Sequence, residues 1–202
     1  MSSRGRPRKV PLAVDRDPRA EIIAAATRLF ARRGIAATTM AEIAESAGLG
    51  ASSLYYWFRS KQQILEVIIE DVNRAPLQLA EDLATRQGPA LARLRELIQL
   101  DVEALCALPF DINEVHRLAA EDDDAFDRYW SDRRRLIDAV ERLVAEGVRS
   151  GELRAIDPHL TALTLLANDE ATQNWFRGET AYGASEVAAH VTDLAVRSVQ
   201  AI

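Results

Sequence analysis

The side chains with the clearest chemical potential lie in one short stretch of the chain. Hydroxyl groups occur at Ser52, Ser53, Tyr55 and Tyr56, and a lysine ammonium group follows at Lys61. Hydroxyl and ammonium groups donate hydrogen bonds to phosphate oxygens, and a tyrosine ring can lie against a base edge or a thymine methyl group. The pattern therefore indicates contact with nucleic acid rather than bond-making chemistry.

Patterns typical of enzymes are missing from the sequence. It contains no glycine-rich phosphate loop, no nucleophile elbow and no zinc-ligand spacing, and it has three histidines and one cysteine, Cys106. His116 with Asp111 or Glu114 is the one arrangement that suggests a metal site, but acids beside a histidine on an exposed helix usually face water. We expect no enzymatic activity, no cofactor and no bound metal.

Local signals place the hydroxyl groups on a short helix that follows a glycine turn. A first helix is expected to end at Gly34. Thr39 and Glu42 have the spacing of a capping box, which opens a second helix. The turn at 48–50 then leads into a third helix at 51–58. Two short helices joined in this way are typical of a helix-turn-helix, whose second helix enters the major groove of DNA.

The rest of the chain is also predicted to be helical. Ser60 and Gln63 have the spacing of a second capping box and begin a long helix to about residue 86, which Pro76 is expected to kink or break. Apolar residues at helical spacing predict further helices over 90–106, 112–120, 124–148, 159–176 and 185–201. Nothing resembles a strand, so the fold class is all-α.

Charge is distributed unevenly along the chain. Residues 1–61 contain eleven Lys and Arg side chains against five Asp and Glu, a net charge of +6, whereas the remainder carries −12. A basic head on an acidic body is typical of a protein that touches a polyanion with one end only. No apolar run approaches the about 18 residues needed to span a bilayer, so we expect a cytoplasmic protein without a membrane partner.

The first sixteen residues are predicted to form a basic arm. Arg4 and Arg6 lie in the sequence Arg-Gly-Arg-Pro, which is similar to the core of an AT-hook, whose arginines enter a narrow minor groove. A basic tail can also simply face solvent. We expect the arm to contribute to DNA binding through its charge even without reading sequence.

Residues 34–61 as a block closely resemble the signature of tetracycline-repressor-like transcriptional regulators. The resemblance is strong over about residues 19–70, and beyond them it extends only to chain length and helical character. It implies an N-terminal three-helix domain with a helix-turn-helix and a larger helical domain for ligand binding and dimerisation. We accordingly divide the chain into the arm at 1–16, a DNA-binding domain at 17–62 and an effector-binding and dimerisation domain at 63–202.

The same resemblance implies roles for individual residues. Thr39 and Ala41 would face DNA from the second helix, and the four hydroxyl residues Ser52, Ser53, Tyr55 and Tyr56 would face it from the third, with Lys61 holding a phosphate. Leu54, Trp57 and Phe58 would form the packing side. Two positions depart from the common pattern, since Gly50 replaces a Ser or Thr cap and Ala51 replaces a longer polar side chain, so the operator sequence is not inferred.

The last two helices are predicted to form a dimer interface. They carry apolar residues at helical spacing, namely Leu160, Leu163 and Leu166 in the first and Val187, Val191 and Leu194 in the second. The resemblance implies that this pair packs against its two-fold mate as a four-helix bundle. The alternative is that both helices complete the core of the monomer.

Several side chains in the predicted helices of the C-terminal domain could line a ligand cavity. Its candidate lining residues are Leu94, Ile98, Val102, His116, Phe126, Tyr129, Trp130, Asn168 and Trp175. We expect a small, mainly apolar effector that reduces the affinity of a homodimer for double-stranded, palindromic operator DNA. The alternative class is an effector-free architectural or pure interaction protein that uses the same basic head.

Overall fold

The computed structural model describes residues 17–121, 126–176 and 181–201 of the 202-residue chain. These residues form helices α1 (Pro18–Arg33), α2 (Met40–Ser46), α3 (Ala51–Trp57), α4 (Lys61–Thr85), α5 (Ala90–Ala107), α6 (Ile112–Glu121), α7 (Asp127–Ser150), α8 (Pro158–Ala171), α9 (Gln173–Phe176) and α10 (Ala184–Val199). The described residues include no strand, only an isolated bridge between Leu153 and Gln200. The predicted all-α fold is confirmed.

The first three helices, α1 to α3, form the N-terminal head, and they begin and end where the local signals predict. The Asp17 carboxylate accepts the backbone N–H of Arg19 at 2.9 Å at the start of α1, and Gly34 ends the helix with φ 81°. Both bonds of the capping box between Thr39 and Glu42 are present at the start of α2. Gly48, with φ 68°, turns the chain towards α3.

Helix α4 joins the head to the body and continues through Pro76. Of the predicted kink or break at Pro76, the break does not occur, because α4 is anchored by apolar residues on both sides of the proline. Ile64 and Ile68 lie in the core around the head, whereas Ala80 and Leu83 lie in the core of the body. Packing at both ends compensates for the one intrahelical hydrogen bond that proline cannot make.

The second capping box is only half formed. The Ser60 hydroxyl accepts the backbone N–H of Gln63 at 3.2 Å, as predicted. The Gln63 side chain, however, accepts the backbone N–H of Arg59 at 2.8 Å instead of that of Ser60. One orphan donor of α4 is thus capped by the hydroxyl group, and the glutamine holds the preceding turn.

Two buried apolar clusters organise the molecule. One contains Phe30, Ile43 and Leu54 of the head together with Val115 of α6 and Phe126 before α7. The other is built from α4, α5, α7, α8 and α10. The core of the head therefore extends past residue 62 and includes side chains from the body, so the head and the body share apolar packing.

The predicted helix at 159–176 is divided into α8 and α9 at Thr172. The buried Gln173 side chain follows this division directly: its Nε2 donates to the carbonyl of Leu105 at 2.6 Å and its Oε1 accepts the backbone N–H of Ile112 at 2.8 Å. The amide thus joins the end of α5 to the start of α6 and satisfies the backbone N–H of the buried Ile112.

Helix α7 begins at Asp127 rather than residue 124 and runs two residues past the predicted end, to Ser150, where Gly151 adopts φ 78°. A glycine in the left-handed region is a common way to end a helix. None of the helices described is long and apolar enough to cross a membrane.

Candidate nucleic-acid interface and ligand cleft

Helix α3 presents its hydroxyl groups to solvent. Leu54 is fully buried against the head, and this anchor turns the opposite side of the seven-residue helix outwards. Ser52 and Ser53 are exposed, Tyr55 is 53% exposed and Tyr56 is 82% exposed. A tyrosine with so much of its ring in water is available to a partner surface.

The neighbouring tryptophan departs from its prediction. Trp57 is 43% exposed and makes an edge-to-face contact with Tyr56 at a centroid distance of 5.5 Å. Phe58, in contrast, is buried and receives the Arg19 guanidinium over its ring at 5.7 Å. Spacing from Leu54 did not distinguish these two aromatic residues, because positions three and four residues later both lie near the anchored face.

The candidate contacts from α2 lie beside this surface. Thr39 and Ala41 are exposed. The Thr39 hydroxyl also caps α2 and donates to the Glu42 carboxylate at 2.9 Å. The hydrogen bond from the Thr39 backbone N–H is the main cause that lowers the pKa of Glu42. Arg4 and Arg6, the candidate contacts from the arm, lie outside the described residues.

Lys61 is engaged within the head. Its ammonium group donates to the carbonyl oxygens of Ile35 at 2.7 Å, Ala36 at 3.1 Å and Thr38 at 2.8 Å. These three bonds use all the donors that a lysine has. Burial lowers the pKa of Lys61, whereas the charge of Glu114 raises it. A phosphate contact by Lys61 stays a prediction, and it requires that at least one of these bonds be exchanged.

A carboxylate from the body holds the same segment from the other side. Glu114 of α6 accepts the backbone N–H of Ile35 at 3.0 Å and that of Ala36 at 2.7 Å. We call the group formed by Glu114, Ile35, Ala36 and Lys61 the α6 clasp. It connects α6 to the loop immediately before α2, and sequence patterns did not reveal it because Glu114 lies almost eighty residues away along the chain.

The body contains a cleft between α4, α5 and α7. Two adjoining cavities of ≈ 70 Å³ and ≈ 220 Å³ share Pro76, Asp101 and Leu136. Apolar side chains, including Leu77 and Leu97, form most of the walls. Carboxylates and one guanidinium complete the cleft, from Asp101, Asp132, Arg133 and Glu170.

The structure does not gather the predicted effector residues in this cleft. Tyr129 lines it, but Leu94, Ile98, Val102 and Phe126 lie in the packed cores. Trp130 donates its indole N–H to the Ala119 carbonyl at 3.3 Å. Asn168 and Trp175 are exposed. His116 does not line the cleft, but its Nδ1 atom lies within hydrogen-bond distance of the Tyr129 hydroxyl group.

Matches to known families cover both the head and the body. Residues 22–68 match the family of bacterial regulatory proteins named tetR, and residues 87–199 match the tetracyclin repressor-like C-terminal domain. The chain belongs to the TetR family. The predicted family resemblance is thereby confirmed, and it extends to the body as well as the head.

Relatives of this TetR-family chain include named transcriptional regulators. The repressor KstR2 of Mycobacterium tuberculosis is 27% identical over 135 residues, which are 64% of this chain and 68% of KstR2. RutR of Escherichia coli K12 is 32% identical over 146 residues, 68% of this chain and 65% of RutR. The structure of AibR with isovaleryl coenzyme A and operator DNA has a TM-score of 0.72 at 19% identity and covers 88% of this chain and 97% of AibR. The family's role in transcriptional regulation agrees with a DNA-binding head.

In this TetR-family chain, an ion network closes one end of the cleft. Arg133 binds the Glu170 carboxylate through both fork nitrogens, and His116 approaches Glu170 at 3.2 Å. The Tyr129 hydroxyl lies 2.6 Å from His116 Nδ1. Burial raises the pKa of Glu170, but the hydrogen bond from His116 and the charge of Arg133 outweigh it and lower the pKa overall. Burial also raises the pKa of Tyr129.

Two further carboxyl groups lie outside this network. Burial, followed by the charge of Glu170, raises the pKa of Asp101 to about 7. Burial, followed by the charge of Asp101, raises the pKa of Asp169 to about 9. Both oxygens of Asp169 are buried without a hydrogen-bond partner among the described residues. These acids interrupt apolar stretches of α5 and α8, a signal that the sequence did contain.

Asp169→Asn is expected to stabilise the TetR-family chain at alkaline pH. Because the folded-state pKa lies above the ordinary value, the folded protein retains a proton that the unfolded chain releases, so the free energy of unfolding falls as pH rises from about 4 to about 9. The facing groups Asp101, Glu170, Arg133 and His116 remain in the variant. Its gain at pH 9 should be at least about 2 kcal/mol, the equivalent of one to two pKa units, measured by denaturant unfolding across pH.

Asp82→Asn provides the control for this prediction, because Asp82 is exposed on α4. It should follow the wild-type pH dependence. If Asp169→Asn has the same pH slope as the wild type, Asp169 does not retain a proton in the folded state.

Large apolar side chains remain exposed on the last helices of this TetR-family chain. Leu160 and Leu163 of α8 and Leu194 of α10 are exposed. We call these three residues the leucine face. Leu166, Val187 and Val191, the other predicted interface residues, are buried within the chain itself. One side of α8 and of α10 thus packs into the core of the chain, whereas the other side exposes apolar side chains to solvent.

Proposed function

We propose that this chain is a homodimeric repressor that reads a palindromic operator with α3 and releases it when a small molecule enters the cleft. The observation that carries the DNA-binding part is the exposed surface of α3, where Tyr55, Tyr56 and two serines project from a helix anchored by Leu54. This helix is short and rigidly seated, which suits insertion into a major groove.

The leucine face supports a homodimer. Three exposed leucines on the C-terminal helices α8 and α10 provide apolar surface of the kind that forms interfaces. Two-fold dimers are the commonest protein oligomers and place the same surface of both chains in contact. Two recognition helices related in this way match two half-sites of inverted sequence, centred about 34–36 Å apart.

The contacts between the cleft and the head support ligand release. Tyr129 and Glu170 line the cleft, and both contact His116 of α6. Two residues earlier on the same helix, Glu114 binds the backbone of the α1–α2 loop. A ligand that displaces Tyr129 or Glu170 therefore shifts α6 and, through the α6 clasp, the position of the recognition helix.

Helix α4 provides a second path between the two sites. It begins beside α3 and contributes Pro76 and Leu77 to the cleft. AibR, a structural neighbour whose title names both isovaleryl coenzyme A and operator DNA, gives a precedent for one chain binding both kinds of partner. Reciprocity requires that a ligand which weakens operator binding is itself bound more weakly by the same factor in the operator complex.

Selection of bound sequences from random double-stranded DNA tests the proposal. The purified full chain should enrich an inverted repeat whose half-sites are separated by one helical turn. Binding to the enriched sequence should be at least about 1,000-fold tighter than binding to unrelated DNA. A pool that shows no enriched sequence after repeated rounds would contradict sequence-specific recognition.

Deletion of residues 2–9 is expected to flatten the salt dependence of operator binding. The deletion removes Arg4, Arg6, Arg8 and Lys9, and each phosphate contact that is lost reduces the slope of log affinity against log salt by about 0.9. The measurement is a titration of operator DNA at several salt concentrations. The helical fold should be unchanged by circular dichroism, and an identical slope for both proteins would show that the arm makes no phosphate contact.

A further inference from the structure

The cleft carries more negative than positive charge. Asp101, Asp132 and Glu170 contribute carboxylates to its walls, whereas Arg133 contributes a guanidinium. Both fork nitrogens of Arg133 are bound to Glu170. The guanidinium is therefore already neutralised, and an anionic ligand would enter beside the acidic side chain of Asp101.

Asp101 occupies the junction of the two cavities. It lines both of them, so a molecule that fills the apolar space between Leu77, Leu97 and Leu136 meets its carboxylate. Asp132, the other acid that is not bound to Arg133, is instead paired with Arg135 at 3.0 Å. Asp101 is thus the carboxylate of the cleft best placed to receive a charged group from a ligand.

Asp169 gives an independent indication that this region can receive a cation. Its side chain is fully buried, and neither carboxylate oxygen has a hydrogen-bond partner among the residues described. Its electrostatic neighbours include Asp101 and Glu170, which are both acids. Buried carboxyl groups are normally paired or hydrogen-bonded, because an unpaired one is costly to desolvate. Unpaired acids of this kind often mark functional sites.

The apolar walls restrict the kind of cation. Three suitably grouped metal-ligating side chains are absent from the described parts of the chain, so the arrangement does not suit a bare metal ion. Most of the lining residues are apolar, and leucines and Pro76 are prominent among them. An organic amine matches this lining, because its ammonium group can pair with the acid and its short hydrocarbon or aromatic part can pack against the apolar walls.

We infer that the cleft binds small amphipathic amines, with the ammonium group paired to Asp101 and the apolar body against Leu97 and Leu136. This inference rests on the proposed function, since it gives the chemical class of the effector that would release the operator. The cation also acts on Asp169 and Glu170, the acids that surround Asp101.

Amine binding is expected to release protons. Asp101, with a pKa of about 7, is partly protonated near neutral pH, and Asp169, with a pKa of about 9, is largely protonated. A nearby cation favours the ionised form of both groups. The groups that face this pair are Glu170, Arg133, His116 and Tyr129, and the first three are already joined in one network. Proton release then arises chiefly from Asp101 and Asp169.

Calorimetric titration with three matched probes tests the inference. The probes are 2-phenylethylamine, 2-phenylethanol and 3-phenylpropanoate, which share an aromatic body and differ in charge. The full-length protein should bind the amine at least about tenfold more tightly than the alcohol and the acid, which corresponds to one opposite-charge contact. Titrations in buffers of different ionisation enthalpy should reveal proton release at pH 7.5.

Asp101→Asn removes the charge with little change of shape, and Asp82→Asn is its control on the exposed side of α4. Asp101→Asn should bind the amine no more tightly than the alcohol, whereas Asp82→Asn should retain the wild-type preference. Thermal unfolding verifies that each variant is folded. If Asp101→Asn does not fold, Asp169→Asn replaces it and should reduce both the preference and the proton release.

Three outcomes overturn the inference: no binding of the amine, equal binding of the amine and the alcohol, or an undiminished preference in the folded variant. Tighter binding of 3-phenylpropanoate would also overturn it and would assign the cleft to anions through Arg133. Operator affinity is measured in parallel without any probe. Loss of specific DNA binding contradicts the proposed function, whereas specific DNA binding without an amine preference contradicts only the inference about the ligand.

Discussion

Leu194→Glu is expected to convert the proposed dimer into a folded monomer with operator affinity reduced by more than about 100-fold. Leu194 is 58% exposed on α10, so a glutamate there remains solvated in the monomer and does not disturb the core. In a dimer that buries the leucine face, the same carboxylates would lose water without a partner. Loss of the second recognition helix removes the gain in affinity that two linked half-sites provide.

Sedimentation equilibrium and operator titration measure the two effects of Leu194→Glu. Gln87→Glu adds the same charge to the exposed α4–α5 connection, outside α8 and α10, and serves as the control. It should remain dimeric and bind the operator normally. A Leu194→Glu protein that is still dimeric and binds with wild-type affinity would place the interface elsewhere on the chain.

Tyr56→Ala is expected to weaken operator binding by roughly 1 to 3 kcal/mol, or about 5- to 150-fold, if the ring contacts a base. The stability of the fold should change little, because 82% of the side chain is exposed and its described ring contact is with the partly exposed Trp57. Fluorescence anisotropy with labelled operator measures the affinity, and thermal unfolding measures the stability.

Tyr182→Ala is the matched control for this prediction, since Tyr182 is also an exposed tyrosine but precedes α10 in the body. It should not affect operator affinity. Selection of DNA with the Tyr56→Ala protein should also relax the preference at one position of each half-site. Unchanged affinity and unchanged preference would remove Tyr56 from the interface.

The head could be predicted closely because its signals are local. Capping bonds such as those of Thr39 with Glu42 join residues three positions apart, and the exposure of Tyr56 follows from its position relative to Leu54. The uneven distribution of charge along the sequence indicated a nucleic-acid partner independently of these helix signals. These features depend on a few neighbouring residues, so the printed sequence contains most of the information needed to place them.

The ligand cleft could not be predicted from the same kind of signal. Apolar residues at helical spacing identify buried faces, but Leu94, Ile98 and Val102 fill a core whereas Leu97 also borders a cavity. Which buried face leaves space depends on how α4, α5 and α7 pack together. The α6 clasp was missed for a related reason, since it joins groups that only the folded chain brings close.

The buried acids of the body depart from the rule that buried helix positions carry apolar side chains. Asp101 and Asp169 interrupt apolar stretches of α5 and α8. Because their pKa values are raised, the fold is less stable at alkaline pH than it would be without these two acids. Natural proteins commonly retain such destabilising groups where a ligand is bound. Asp101 lines the cleft and Asp169 interacts with it electrostatically, which is consistent with the amine site inferred above.

A comparison of three DNA duplexes with the wild-type protein tests the central claim most directly. The duplexes contain the selected inverted repeat, the same sequence with one half-site scrambled, and a full scramble. A dimeric sequence reader should bind the intact repeat at least about 100-fold more tightly than the single half-site and at least about 1,000-fold more tightly than the scramble. Equal affinity for all three duplexes at physiological salt would show that the chain binds DNA by charge alone and would contradict the account.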